Sequence, residues 1–322
     1  MRYLLRRVVH GVLVLVAVSI LSFLLLHLAP GEFFAEMRLN PQIAPGTVDA
    51  LRAQYGLDRA LPLQYGLWMR SVLKGEFGYS FAYNQPVSSL LWPRVLNTLL
   101  LNTVALVIAW LVAVTFGTWA AARPGKWEDR LCSLGTSTLL VIPDLMLALA
   151  LLMLAVRTRW FPLGGMVTID FADLTAWSKV KDLGAHLVLP AAVIVLGAFP
   201  LLYRHVRSSV SESLTLPFVQ AARGYGIRRT QLLFRQALPA AANPLISLLG
   251  LSFGTLLSAS LLVEVVLSWP GLGPMLLESI LARDVYVVIA IVLLSAALVI
   301  LGSLFADVLL YWSDPRIRTE GR

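Results

Sequence analysis

The stretch Pro217–Pro239, PFVQAARGYGIRRTQLLFRQALP, decides how the chain is read. It is the longest basic polar interruption between two apolar runs that are each long enough to cross a membrane. It holds Arg223, Arg228, Arg229 and Arg235 and no acid. A short helix is expected from Pro217, whose missing N–H costs nothing at a first helical position, with Thr215 or a neighbour as its cap. Phe218, Val219, Ala221 and Ala222 then form one small, smooth face. Gly224 and Gly226 end the helix, because glycine reaches the positive φ values that close one. Thr230 is expected to cap a second helix through Leu232, Leu233 and Phe234 to Leu238-Pro239. Two helices around a glycine break read as an element that a partner holds and moves. The plainer alternative is a solvated basic loop beside a membrane.

Composition supports a membrane setting independently. The chain is 58% hydrophobic and 14% charged, with a mean hydropathy of +0.78, well outside the soluble balance. The net charge is +8, but the arginines flank apolar runs and form no basic domain. Anionic lipid head groups are therefore the expected neighbours, and no nucleic acid is. The single Cys132 excludes an internal disulfide and a multi-cysteine metal site.

At the N-terminus, Arg2, Arg6 and Arg7 precede an almost wholly apolar run, Val8 to Leu28. A secretory signal has an apolar core of roughly 7–15 residues, and this run is longer, so it reads as a retained first transmembrane helix. His27 reads as interfacial. Four further runs suit a bilayer core of ~30 Å: Thr98–Ala121, Leu131–Val156, Leu245–Leu267 and Val285–Leu310. A shorter one, His186–Tyr203, is interrupted by Pro190, Gly197 and Pro200 and is expected to kink. That makes six transmembrane helices in an all-α membrane protein. The expected parts are an N-terminal helix (1–29), an outer segment of short helices and turns (30–97), a transmembrane domain (98–311) with a loop at 204–244, and a tail (312–322). Fifteen of the 26 Lys and Arg fall in the shorter segments on the N-terminal side of the membrane. By the positive-inside rule both termini and the Pro217–Pro239 loop are expected to be cytoplasmic.

Ionisable residues within spans are costly and so mark function by default. Asp144 follows Pro143 near the middle of the expected third helix. It either faces a translocation cavity or sits hydrogen-bonded in packing. Glu264, near the outer end of the fifth helix, and Asp307, near the inner end of the sixth, read as interfacial or structural.

The central loop resembles that of bacterial ABC-importer permeases, which carry E-A-A, three residues, G, nine residues, then I-x-L-P. Here Gln220-Ala221-Ala222 is followed at those spacings by Gly226 and Leu238-Pro239, with Gln220 and Gln236 replacing the glutamate and isoleucine. The outer segment is similar to that of dipeptide, oligopeptide and nickel importer permeases at Gly56-Leu57-Asp58, Pro62, Gln64-Tyr65, Trp68, Gly75, Phe77-Gly78, Ser80 and Pro86-Val87. So are the turn Ser268-Trp269-Pro270-Gly271-Leu272-Gly273, Leu281-Ala282-Arg283-Asp284 and the ending Asp314-Pro315-Arg316-Ile317-Arg318. Singly, most of these residues read as turns or packing positions. In family order they cover essentially the whole chain. The serine and aromatics that often follow the proline at position 143 are absent, and Asp144 stands there instead.

The resemblance implies a type I ABC-importer permease fold in the bacterial inner membrane. It implies pairing with a second homologous permease, two ATP-binding subunits and an extracytoplasmic substrate-binding protein. The first loop helix would dock in an ATPase cleft. The chain has no G-x-x-x-x-G-K-[ST] loop, so ATP and Mg belong to the partner subunits and this chain binds no cofactor. A secondary transporter or channel is the alternative, and only Asp144 hints at it. An intramembrane enzyme lacks support: H-E-x-x-H and G-x-S-x-G are absent, and His10, His27, His186 and His205 are scattered. Dipeptides, oligopeptides, nickel chelates, glutathione-like solutes and sugars all remain open as substrates.

Overall fold

A computed structural model describes residues 2–28, Gly46 and residues 58–313. Gly56-Leu57, the side chain of His27 and the tail from Asp314 lie outside the described residues. Within a bilayer each backbone polar group must be satisfied inside its own segment, so the apolar runs become helices. Among the described residues five are long and apolar enough to cross a membrane: α1 (Arg2–Leu28), α3 (Val87–Ala122), α6 (Ala176–Ser213), α9 (Ala242–Val266) and α11 (Val285–Ser313). Helix α3 starts well before Thr98. Helix α6 is one continuous helix through Pro190 and Pro200 and extends beyond His186–Tyr203 at both ends.

The third expected span is corrected. It is two helices, α4 (Trp127–Val141) and α5 (Asp144–Thr158), bent by 101° at Ile142-Pro143. Proline pushes the residue before it out of the α region, and Ile142 is extended at φ −84°, ψ 119°. Counted as one broken span, the pair brings the total to six.

The chain divides into two compact units. The first takes Met1–Val8, Thr98–Trp269 and Val299–Arg322. Its core joins Leu101 and Ala105 of α3, Leu147 and Ala148 of α5, Val193 and Ile194 of α6, and Leu256 and Val263 of α9. Helices α9 and α11 approach where side chains are smallest. A Cβ on Gly250 would lie 2.7 Å from Ala306 Cβ, and one on Gly254 3.0 Å from Val299 Cγ1. This four-residue glycine spacing lets membrane helices touch through their backbones. Asn102 donates to Ser260 Oγ at 2.8 Å between α3 and α9. Asp307 is held by Arg7, with Nε to Oδ2 at 2.8 Å, which bears out its structural reading. Glu264 is fully buried, which fits the structural of its two readings.

The second unit takes Val9–Asn97 and Pro270–Leu298. Phe23, Trp68 and Ile289 form its core with Tyr65, Met69 and Tyr286 around them. Helix α2 (Leu61–Val72) supplies Trp68, whose indole donates to Phe77 O at 3.1 Å. Gly78 has φ +105° and lies against the Tyr286 ring, 3.1 Å from where a Cβ would stand. Strands β1 (Tyr79–Ser80) and β2 (Gln85–Pro86) pair antiparallel ahead of α3.

Candidate functional site

The loop builds its own rigid geometry. Helix α7 spans Pro217–Gly224 with Pro217 at its start, as expected. Its N-cap is Leu216, the neighbour of Thr215, with no side-chain cap, and Thr215 itself donates to Glu212 O at 2.7 Å. At the other end Gly226 N bonds Arg223 O at 3.0 Å and Ile227 N bonds Ala222 O at 3.4 Å. Those two bonds, with Gly226 at φ +79°, make a Schellman closure that a side chain there would strain. Gly224 is the last helical residue and does not turn the chain.

One side of α7 is anchored and the other is open. Val219 is 1% exposed, whereas Phe218 is 52% and Tyr225 89% exposed. Phe218, Ala221, Ala222 and Tyr225 follow the i, i+3, i+4, i+7 spacing of one helical face. Tyr225, between Gly224 and Gly226, is not among the residues the sequence pattern singles out, because the small-residue and glycine spacing carries no signal at its position. Gln220 donates from Nε2 to Leu214 O at 2.7 Å, a bond that the family's glutamate has no proton to make when ionised. Behind α7 lies a cavity of about 570 Å³ that Ser211, Val219, Gln220, Arg223 and Arg229 help to line.

The second loop helix begins at Arg229, capped by Arg228, so Thr230 lies inside the first turn and does not cap it. Helix α8 (Arg229–Leu232) passes into a π turn at Leu233–Ala237 and a last turn at Leu238–Ala240. Pro239 has no N–H and its ring crowds the carbonyl four residues back; the wider π turn accommodates both. Leu233 and Ala237 are buried against Leu202, Val206 and Leu245. The loop is therefore fastened to the transmembrane helices, unlike a solvated connector.

Asp144 sits where α5 begins, just past the bend, and not in the middle of a helix. It helps to line a cavity of about 450 Å³ with Gly197, Leu201, His205, Leu248 and Thr255. Its carboxylate lies directly over Gly197, in the place a Cβ would need. No described residue gives it a hydrogen bond or an ion pair. Asp144 thus lines a cavity and, among the described residues, is not hydrogen-bonded into packing.

The Trp269–Gly273 turn is structural in its geometry. Trp269 is fully buried and its backbone N–H donates to Glu264 O at 2.8 Å, with Ser268 at φ +53° closing α9. Pro270 O accepts from Asn97 at 2.8 Å, Gly271 caps α10 (Leu272–Leu281), and Gly273 is buried in its first turn. In the same unit Asp284 accepts from Ser80 Oγ at 2.6 Å and from Ala82 N at 3.1 Å. Burial raises its carboxyl above the ordinary range, partly offset by those donors. Tyr83 donates to Glu278, and burial together with that carboxylate pushes the phenol up to about 12. Asp284 and Tyr83 thus tie Ser80 and the residues after it to the C-terminal half of α10 and the turn that follows it.

Comparison with known proteins matches residues 113–319 to the binding-protein-dependent transport system inner membrane component family, and residues 1–102 to the N-terminal region of such membrane components. A protein of Brucella ovis named as a peptide permease is 36% identical over 327 residues, 99% of each chain. The oligopeptide transport system permease protein AppB of Bacillus subtilis is 33% identical over 317 residues, 98% of each. The glutathione transport system permease protein GsiC of Salmonella typhimurium is 32% identical over 319 residues, 99% of each. In fold the chain is similar to one in the inward-facing MetNI methionine ABC transporter. The TM-score is 0.57 at 20% identity, covering 70% of this chain and 96% of that one.

Proposed function

This chain belongs to the binding-protein-dependent transport system inner membrane component family, and on that footing we propose that it lines the path of an ABC importer for peptides or a related small solute. It works beside a second homologous permease. Two ATP-binding subunits supply ATP and Mg, and an extracytoplasmic binding protein delivers the solute. Both termini and the 204–244 loop face the cytoplasm, and Asp144 faces the path. The names of the relatives, peptide, oligopeptide and glutathione permeases, support this substrate class.

One observation carries the coupling role: α7 leaves Phe218, Ala221 and Tyr225 exposed on one face, with Ala222 half-buried among them, while Val219 and the Schellman closure fix it from behind. A partner that changes shape on binding ATP needs such a rigid, separately presented handle to bias a two-state membrane element. The small alanines admit close approach, and the two aromatics supply contact area.

The test is binding-protein-stimulated ATP hydrolysis in the co-purified complex. Ala222→Asp, which puts a charge on the docking face, should lower it at least tenfold; Arg229→Gln should leave it within about twofold, since a rim charge contributes little. Near-normal stimulation in both variants would reduce the loop to a basic connector. Transport that continues without any ATPase partner would favour the secondary-transporter alternative.

A further inference from the structure

The cavity beside Asp144 has a polarity that its volume and packing do not require. Leu201, Leu248 and Leu256 are typical of its wall, and at about 450 Å³ it is the size of a small-ligand site. Into this apolar space the chain places one carboxylate. A lone ionisable group among membrane helices is unfavourable unless it faces water, a partner or a ligand. No basic side chain is brought to Asp144 among the described residues, although Asp307, Asp129 and Glu128 are each matched with an arginine. The place is also cleared sterically. Gly197 of α6 has no side chain, and any Cβ there would collide with the Asp144 carboxylate.

His205 is the other titratable group on the cavity wall. Its Nδ1 lies 2.9 Å from Leu201 O, and with the proton on that nitrogen its Nε2 remains an acceptor. The cavity thus offers a carboxylate and an imidazole nitrogen and no basic side chain other than that histidine.

We propose that Asp144 makes this cavity a seat for a positively charged group of the passing solute, an ammonium group above all. The inference rests on the importer reading and narrows it to solutes that carry a cation. A solute that leaves water with its ammonium loses hydration, and a fixed carboxylate on the path replaces part of it. A single carboxylate binds weakly enough for release, as conduction requires.

The test reads the cavity without knowing the natural solute. In the assembled complex in lipid nanodiscs without ATP, Cys132→Ser removes the native thiol and Thr255→Cys places one on the cavity wall. A trimethylammonium-ethyl and a sulfonato-ethyl methanethiosulfonate are then compared, each rate divided by that with a free small thiol. The cationic reagent should be favoured on the order of tenfold, and Asp144→Asn should bring the ratio close to one, while Asp144→Glu should keep it. Asp144→Ser supplies the same neutral comparison if Asp144→Asn does not assemble. A ratio that Asp144→Asn leaves unchanged overturns the proposal. Binding-protein-stimulated ATP hydrolysis by the unmodified complex is measured in parallel, and its absence would sink the importer reading without touching the reagent ratio.

Discussion

Asp129, near the start of α4, and Arg207, in α6, meet through two parallel hydrogen bonds: Nε to Oδ1 at 2.6 Å and Nη2 to Oδ2 at 2.8 Å. Asp129 Oδ2 also accepts from Gly125 N at 2.9 Å. The turn before the bent pair is therefore clamped to the helix that continues towards α7. Planar guanidinium matches carboxylate geometry with both prongs, so the clamp fixes orientation as well as distance.

Arg207→Gln should lower stability by about 1–3 kcal/mol, because it leaves a carboxylate that is only 5% exposed without its cation. Arg207 is itself 36% exposed, which holds the effect below that of a fully buried pair. Arg207→Lys should recover part of the loss, since an ammonium replaces the charge without the fork. Thermal unfolding of the purified complex followed by tryptophan fluorescence reads the series; equal midpoints for wild type and Arg207→Gln would remove the clamp from the argument.

The closure of α7 predicts a split between Gly226 and Gln220. No side chain crowds Gly226, so Gly226→Val acts through its φ of +79° alone, at about 1–2 kcal/mol. It should lower stimulated ATP hydrolysis several-fold while membrane insertion stays normal. Gln220→Glu sets a carboxylate against Leu214 O and should cost about 1 kcal/mol, recoverable at low pH when the acid regains a proton to donate. Stimulation that is flat across pH for Gln220→Glu would contradict this account.

Orientation is testable with single cysteines in a Cys132→Ser background. Glu76 and Thr230 are both exposed. Glu76→Cys should react with an impermeant thiol reagent added outside intact cells, and Thr230→Cys only after the membrane is opened. The reverse pattern would invert the topology.

Asp284 predicts a pH dependence in the second unit. Its folded pKa is raised, so it binds a proton more tightly when folded than when unfolded. Its favourable contribution is complete below the ordinary carboxylate range and is lost as pH rises through the raised folded value. Wild type should therefore lose stability relative to Asp284→Asn between acid and neutral pH. Hydrogen exchange of the α10 amides in both proteins checks this, and a gap that stays constant with pH would refute it.

Much of this protein was legible in its sequence because its strongest constraints are local. A run of about 20 apolar residues must become a helix in lipid wherever it packs, so spans could be counted from hydropathy alone. Pro217 and Gly226 set α7 through their own backbone geometry, and the mixture of small residues, glycines and Leu-Pro was enough to suggest the family. Caps were less legible. Thr215 and Thr230 have the right chemistry, but one hydroxyl was taken by Glu212 O and the other fell one residue inside its helix.

Tertiary structure alone decided which distant residues meet. By hydropathy the third span runs straight through Pro143, and the 101° bend that carries Asp144 into a cavity beside Gly197 and His205 depends on what packs around α5. The pairs Arg7–Asp307, Asp129–Arg207 and Ser80–Asp284 join segments far apart in the chain, and no periodicity encodes them. Glu264 reads as interfacial or structural from its position, and only the fold shows that it is fully buried. Local sequence fixes backbone geometry and burial tendency, whereas the partner of a charge is chosen by how helices with interlocking surfaces come together.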